Sequence, residues 1–371
     1  MRVQPLTLAR RTFLLAGVGL LALSGCSLIE GPPPQTPPAT FHEFTKREVR
    51  FRSGNIELAG TLFMPAGVVA APGVVFGHGS GDVARPNRRF TFEAEGLATR
   101  GVASLVFDKR GCGDSGGDWK TSNFHDLAGD LRAAYEFMRT QPRVDPNRVG
   151  LRGASQAGYV MPIAASTVPQ PAFMIMISGP MITIGEQIAY EAETGINASD
   201  LAADEKQQAM ALTRQGLEFA RTGEGAEAYF ARVREVSNTR WYRASPTPGE
   251  EELWFFEWLR PAFDFDPTSY FQALTLPVLA YFGENDTLVP TRIARQRLQA
   301  LYQGERAALL TMIEYPGAGH DLRYEDQSGK RVLALDYLNG MAAWIETASS
   351  MPRVAPPLEP APVATEATPS P

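Results

Sequence analysis

Three short segments carry residue types that could form and break an acyl bond. Ser155 lies in Gly153-Ala154-Ser155-Gln156-Ala157-Gly158, Asp286 closes Gly283-Glu284-Asn285-Asp286, and His320 follows Gly319. An alcohol attacks a carbonyl readily only when a base removes its proton, and an imidazole does this best when a carboxylate orients its ring and offsets the charge it gains. A serine on a sharp strand-to-helix turn also needs small residues two before it and two or three after it, because strand and helix pass too close for bulk. Gly153, Ala157 and Gly158 meet that need. Alone, a glycine-flanked serine reads equally as an ordinary turn in a chain with 34 glycines. What distinguishes this one is that all three segments follow apolar runs, Val149 to Leu151, Val278 to Phe282 and Leu309 to Tyr315. Such runs suit buried parallel strands.

The histidines are His42, His78, His125 and His320. His42 falls in a linker, His125 opens a helical pattern without glycine neighbours, and His78 belongs to a His-Gly turn with a different task. His320, in Pro316-Gly317-Ala318-Gly319-His320, sits on a loop just past a strand and is the expected base. Such a base makes hydrolysis rise with pH as the imidazole loses its proton. Glu284 and Asp286 compete as the acid. Asp286 is preferred because Thr287-Leu288-Val289-Pro290 follows it, with proline poised at a helix start. Charge developing on the substrate oxygen needs two backbone donors. One is expected from the amide of Gln156, helped by the positive end of the helix it opens. The other is expected after Gly73-Val74-Val75-Phe76-Gly77-His78-Gly79-Ser80-Gly81, where glycines let backbone approach a substrate closely. That donor is assigned to Ser80, with Gly79 as the alternative and His78 as a buttress of the turn.

The elements that must hold these residues read as alternating strands and helices, interrupted once. Over residues 182–266 the rhythm stops. Helical patterns run from Asp200 to Thr222 and from Ala226 to Arg240, followed by Trp254-Phe255-Phe256-Glu257-Trp258. These aromatics either line a substrate pocket or pack the insertion onto the core. The expected organisation is a signal segment 1–25, a proline-rich tether 26–45, a core in two parts, 46–181 and 267–350, around the helical insertion, and a proline- and alanine-rich tail 351–371.

The residues from about 46 to 350 resemble the α/β-hydrolase superfamily, within it the branch of dienelactone hydrolases and prolyl-oligopeptidase-like esterases and peptidases. The resemblance rests on the chain order Ser155, Asp286, His320, on the His-Gly turn, and on Phe107-Asp108-Lys109-Arg110-Gly111-Cys112-Gly113-Asp114-Ser115-Gly116. That last stretch is similar to a family loop of form Asp-x-Arg-Gly-x-Gly-x-Ser, which in the family ties structure beside the active site. Position 157 departs from the pattern, with alanine where glycine is commonest. The resemblance implies an α/β fold with a mostly parallel central sheet, helices on both faces and a helical lid at the insertion. It further implies a serine hydrolase acting on small-molecule esters through an acyl-enzyme. A peptidase or thioesterase on the same triad, or a non-catalytic envelope lipoprotein using the fold for binding, is the alternative.

The first 25 residues contain three arginines and no acid, then an apolar run from Phe13 to Leu23, too short to cross a bilayer and suited to a signal segment. Leu23-Ser24-Gly25-Cys26 resembles a bacterial lipobox, which implies a lipid-anchored Cys26 outside the cytoplasm, in the cell envelope. Arg10-Arg11-Thr12-Phe13-Leu14 resembles a twin-arginine export signal, with Ala9 where a polar residue is usual. Cys112 is then left with no intrachain partner, and no disulfide is expected. Without that leader 32 basic residues face 41 acidic ones, a net charge of −9. Nucleic acid is therefore excluded as a partner. No metal site and no cofactor is expected from the spacings of Cys, His and Gly. The oligomeric state stays open.

Overall fold

The structure is a computed structural model that describes residues 28–30, 40–85, 87–167, 169–244, 248–325, 328–333 and 337–352. The expected signal segment, Cys26 and the tail from 353 onward lie outside the described residues. Its strands are β1 (Leu28–Glu30), β2 (Phe44–Ser53), β3 (Ile56–Pro65), β4 (Ala71–Gly77), β5 (Ala103–Phe107), β6 (Val144–Ala154), β7 (Met174–Ile177), β8 (Val278–Gly283) and β9 (Leu310–Tyr315). Among the described residues these form one sheet in the order β1-β9-β8-β7-β6-β4-β5-β3-β2. The pairs β2 with β3 and β3 with β5 are antiparallel, and the others are parallel. A short hairpin of β10 (Arg323–Glu325) and β11 (Arg331–Leu333) stands apart. The central strands are buried on both faces, which is why they read as continuous apolar runs rather than as alternation.

Helices cover both faces. On one side α1 (Arg88–Ala98) and α11 (Tyr337–Ala348) pack Phe90, Leu97, Met341 and Ile345 against Val74 and Phe76 of β4. On the other, α2 (Phe124–Arg139), α3 (Ala157–Ser166) and α10 (Thr291–Leu301) bury Leu131, Met161 and Leu298 against Val75 and Leu151. The alternation of β4 residues between these two cores is the period of the pleat. α2 starts cleanly because Asn123 and Asp126 form a reciprocal capping box.

Between β7 and β8 the chain makes α4 (Ile184–Ala198), α5 (Ala203–Thr222), α6 (Ala226–Val236), α7 (Arg240–Ala244), α8 (Leu253–Ala262) and α9 (Thr268–Gln272). The sequence patterns anticipated α5 and α6, and the aromatic group noted after them falls in α8. They missed α4, although Thr183 and Glu186 form a capping box at its start. Phe219, Tyr229, Phe230 and Phe256 contact one another ring to ring and join the same apolar cluster as Val75 and Leu151, so the insertion is packed onto the core. None of the described helices is long and apolar enough to cross a membrane.

Candidate active site

Strand register brings the site segments to one end of the sheet. Gly77 pairs with Gly153, Ala154 with Ile177, Ile177 with Tyr281, and Gly283 with Tyr315, so β4, β6, β7, β8 and β9 finish level. The loops after these carboxyl ends carry all the candidate residues, as expected of open α/β sheets.

Ser155 sits between β6 and α3 with φ +55°, a left-handed conformation uncommon for a side-chain-bearing residue. Its amide donates to Ile177 O at 3.0 Å, and Gly158 N closes the turn on Ser155 O at 2.7 Å. The small residues are needed as the sequence implied. A Cβ on Gly153 would lie 2.4 Å from Ala157 Cβ, and one on Gly158 would lie 2.9 Å from Gly179 Cα. Alanine at 157 is fully buried at this contact and fits.

Asp286 and His320 meet directly. His320 Nδ1 lies 2.8 Å from Asp286 Oδ2 and 3.1 Å from Oδ1. Asp286 is buried, and its Oδ1 accepts the amides of Leu288 and Val289 at 2.8 and 2.9 Å, so the carboxylate is fixed before it orients the imidazole. Gly283 makes the approach of the two loops possible, because a Cβ there would lie 2.2 Å from Gly319 O. Glu284, the competing acid, instead accepts Gly317 N at 2.8 Å and holds the histidine loop from outside.

The other histidines are elsewhere. His78 Nε2 lies 2.7 Å from Phe107 O, and burial pushes its pKa down to about 4, so the neutral ring donates to that carbonyl and braces the turn. His125 Nε2 lies 3.4 Å from Tyr270 OH. His42 donates its backbone amide to Thr99 O. The loop after β5 is a tie, as the resemblance implied. Asp108 accepts Asp114 N at 2.9 Å and binds Arg85, while Arg110 makes a two-point contact with Asp130 at 2.6 and 2.8 Å. Cys112 is buried and, among the described residues, forms no disulfide.

Ser155, Ser80 and Gln156 line one cleft of about 510 Å³. Its remaining wall comes mostly from the insertion: Ile184, Gln187, Ile188 and Glu191 of α4, with Phe255 and Trp258 of α8. The α4 residues were invisible to the sequence patterns. Trp258 also donates Nε1 to Ser122 O at 2.9 Å, whereas Trp254 turns away and meets Trp119 edge-on at 5.5 Å. One of the two tryptophans is thus wall and the other packing.

A model of the alpha/beta hydrolase family matches residues 74–335. The chain is 36% identical over 121 residues to the quorum-quenching protein AidA of Acinetobacter baumannii, covering 32% of this chain and 39% of that protein. It is 27% identical over 165 residues to acyl-coenzyme A thioesterase 3 of Mus musculus, covering 41% and 33%. The chain therefore spans well under half the length of either relative. Among solved structures, proline iminopeptidase of Mycobacterium smegmatis superposes with a TM-score of 0.53 at 16% identity over 82% of this chain and 99% of that one. An esterase of Pyrococcus furiosus gives 0.50 at 17% over 86% and 96%. The chain belongs to the alpha/beta hydrolase family.

Proposed function

We propose that this alpha/beta hydrolase is a serine hydrolase that cleaves small-molecule carboxylic esters. The observation that carries the reading is the Asp286–His320 pair at the same sheet end as a serine held in left-handed backbone. With Nδ1 committed to Asp286, Nε2 is the nitrogen left to take the Ser155 proton. Ser155 Oγ then attacks the carbonyl, and the amides of Ser80 and Gln156 receive the oxyanion. Expulsion of the alcohol, protonated by His320, leaves an acyl-enzyme that water hydrolyses. The His-Gly turn and the loop after β5 support the dienelactone-hydrolase and prolyl-oligopeptidase-like branch. The charged side chains on the cleft wall are Glu191 and Glu252, with no lysine or arginine among the lining residues, which favours an uncharged ester over a thioester of a phosphate-bearing carrier.

Labelling with a small fluorophosphonate, followed by a panel of esters, thioesters and peptides, tests this reading. Label on Ser155 and ester turnover support it, and an unlabelled Ser155 in folded protein refutes it. Within the same panel Trp258→Ala is expected to shift relative kcat/KM among acyl or alcohol groups by about 1–3 kcal/mol, the size of a lost apolar pocket contact. Unchanged ratios would make Trp258 packing only.

The reading includes attachment to the bacterial envelope through lipid on Cys26, supported by Leu23-Ser24-Gly25-Cys26 after an apolar run. Cys26→Ser should abolish incorporation of labelled fatty acid. A variant that is still lipidated would overturn the attachment.

A further inference from the structure

Lys109 is the first residue after the Asp108 that ties the β5 loop, yet its side chain is 1% exposed. Its three ammonium protons have three acceptors: Gly79 O at 3.0 Å, Gly81 O at 3.2 Å and Gln156 Oε1 at 3.0 Å. The Trp119 ring lies against the same nitrogen, 4.8 Å from centroid to Nζ, and the Lys109 amide donates to Val83 O at 2.9 Å. A buried lysine so fully used is unusual, because taking an ammonium out of water is costly unless every proton is matched. Its acceptors are not scattered. Gly79 O belongs to the peptide whose N–H is that of Ser80, and Gln156 is the residue whose amide opens α3.

We propose that Lys109 is the positioning residue of the oxyanion hole, clamping the Ser80 turn and the Gln156 side chain together behind the cleft. The inference rests on the serine-hydrolase reading of that cleft. In a trans peptide the C=O and N–H point in opposite directions. A cation drawing Gly79 O backward therefore aims the Ser80 N–H forward, and it also polarises that peptide into a better donor. The bond to Gln156 Oε1 fixes the second donor's residue to the same point. One ammonium thus sets the spacing of two amides that come from turns 76 residues apart in sequence. The effect is felt when negative charge develops, so it belongs to the transition state rather than to substrate binding.

Burial lowers the Lys109 pKa from its ordinary value to about 8, against the opposing pull of Cys112 and Asp82. The groups facing it are His78, neutral above pH 5, Asp82, and Cys112, whose thiol is pushed up mainly by burial. The clamp is charged below about pH 8 and is lost as pH rises through that value. Wild-type kcat should accordingly decline reversibly as pH rises through about 8, following the titration of one buried amine.

The test is Lys109→Met, which keeps the stem and removes the donors. We expect kcat per labelled site to fall about 10- to 100-fold, short of the roughly 10²- to 10³-fold loss for deleting an oxyanion donor itself. KM, the final fluorophosphonate stoichiometry and the melting temperature of the labelled protein should change little, and the alkaline decline should vanish. Cys112→Ala should retain that decline. Unchanged kcat per labelled site in Lys109→Met would overturn the clamp, as would an alkaline decline that disappears in Cys112→Ala instead. If Lys109→Met does not fold, Gln156→Leu, which keeps the backbone amide and removes one of the three acceptors, takes its place, and unchanged kcat per labelled site there overturns the clamp equally. Failure of wild-type Ser155 to label would strike the hydrolase reading itself, a separate and earlier result.

Discussion

Alanine at Ser155 or at His320 is expected to lower kcat by about a million-fold, and alanine at Asp286 by ten- to a hundred-fold less. Nucleophile and base act as one unit, so losing either removes the whole advantage, and the carboxylate only orients and offsets charge. Asp286 is held by two backbone amides and lies against Nδ1 of His320, the geometry that an orienting group needs in the proposed mechanism. Glu284→Ala should cost far less than Asp286→Ala, because its carboxylate anchors Gly317 N rather than the imidazole. Single-turnover rates on an activated ester, with each variant's fold checked, decide the matter. Near-wild-type hydrolysis by purified Ser155→Ala would refute the mechanism, and a larger loss at Glu284 than at Asp286 would reassign the acid.

Glu93→Ala is expected to destabilise the fold by about 3–5 kcal/mol, the cost of stranding a buried charge. Arg152, three residues before Ser155, is fully buried and ion-paired with an equally buried Glu93. Tyr337 OH lies 3.3 Å from both Glu93 Oε2 and Arg152 Nη2, and Arg89 Nε donates to Glu93 Oε1 at 3.0 Å. The guanidinium also rests over Phe76 and Phe90, 5.1 and 5.5 Å from their centroids. Removing the carboxylate leaves Arg152 in that apolar site without a counter-ion. Since a domain has only about 5–15 kcal/mol of stability in all, the variant should approach unfolding. Replacing both partners, as in Arg152→Met with Glu93→Leu, should recover most of the loss. Urea unfolding measures it, and a shift under about 1 kcal/mol for Glu93→Ala would show that the pair is not the counter-ion system described.

The parts legible in the sequence are those whose demands are local. An elbow needs small residues within three positions of the serine, so Gly153, Ala157 and Gly158 announce it. Strands buried on both faces announce themselves as apolar runs, as Val149 to Leu151 and Val278 to Phe282 do. What stayed hidden depends on distant partners. A lysine on a glycine-rich loop reads as solvated, and Lys109 is buried only because turns from residues 79–81, 119 and 156 converge on it. Trp254 and Trp258 are one helical turn apart and look alike in sequence, yet one meets Trp119 and the other the cleft. α4 escaped because its apolar residues divide between core and cleft, Ile196 facing the one and Ile188 the other, which blurs the single stripe that pattern reading seeks.

The left-handed backbone at Ser155 has a meaning for how such a chain can change over generations. For a residue with a side chain that conformation costs roughly 1–2 kcal/mol, and glycine would adopt it freely. The fold by itself therefore prefers a residue that the proposed chemistry forbids. With Ser155 as the proposed nucleophile, selection for catalysis would hold serine there against a steady mutational pull toward a sturdier, inert protein, and would leave the chain that much closer to the threshold at which further substitutions elsewhere are no longer tolerated.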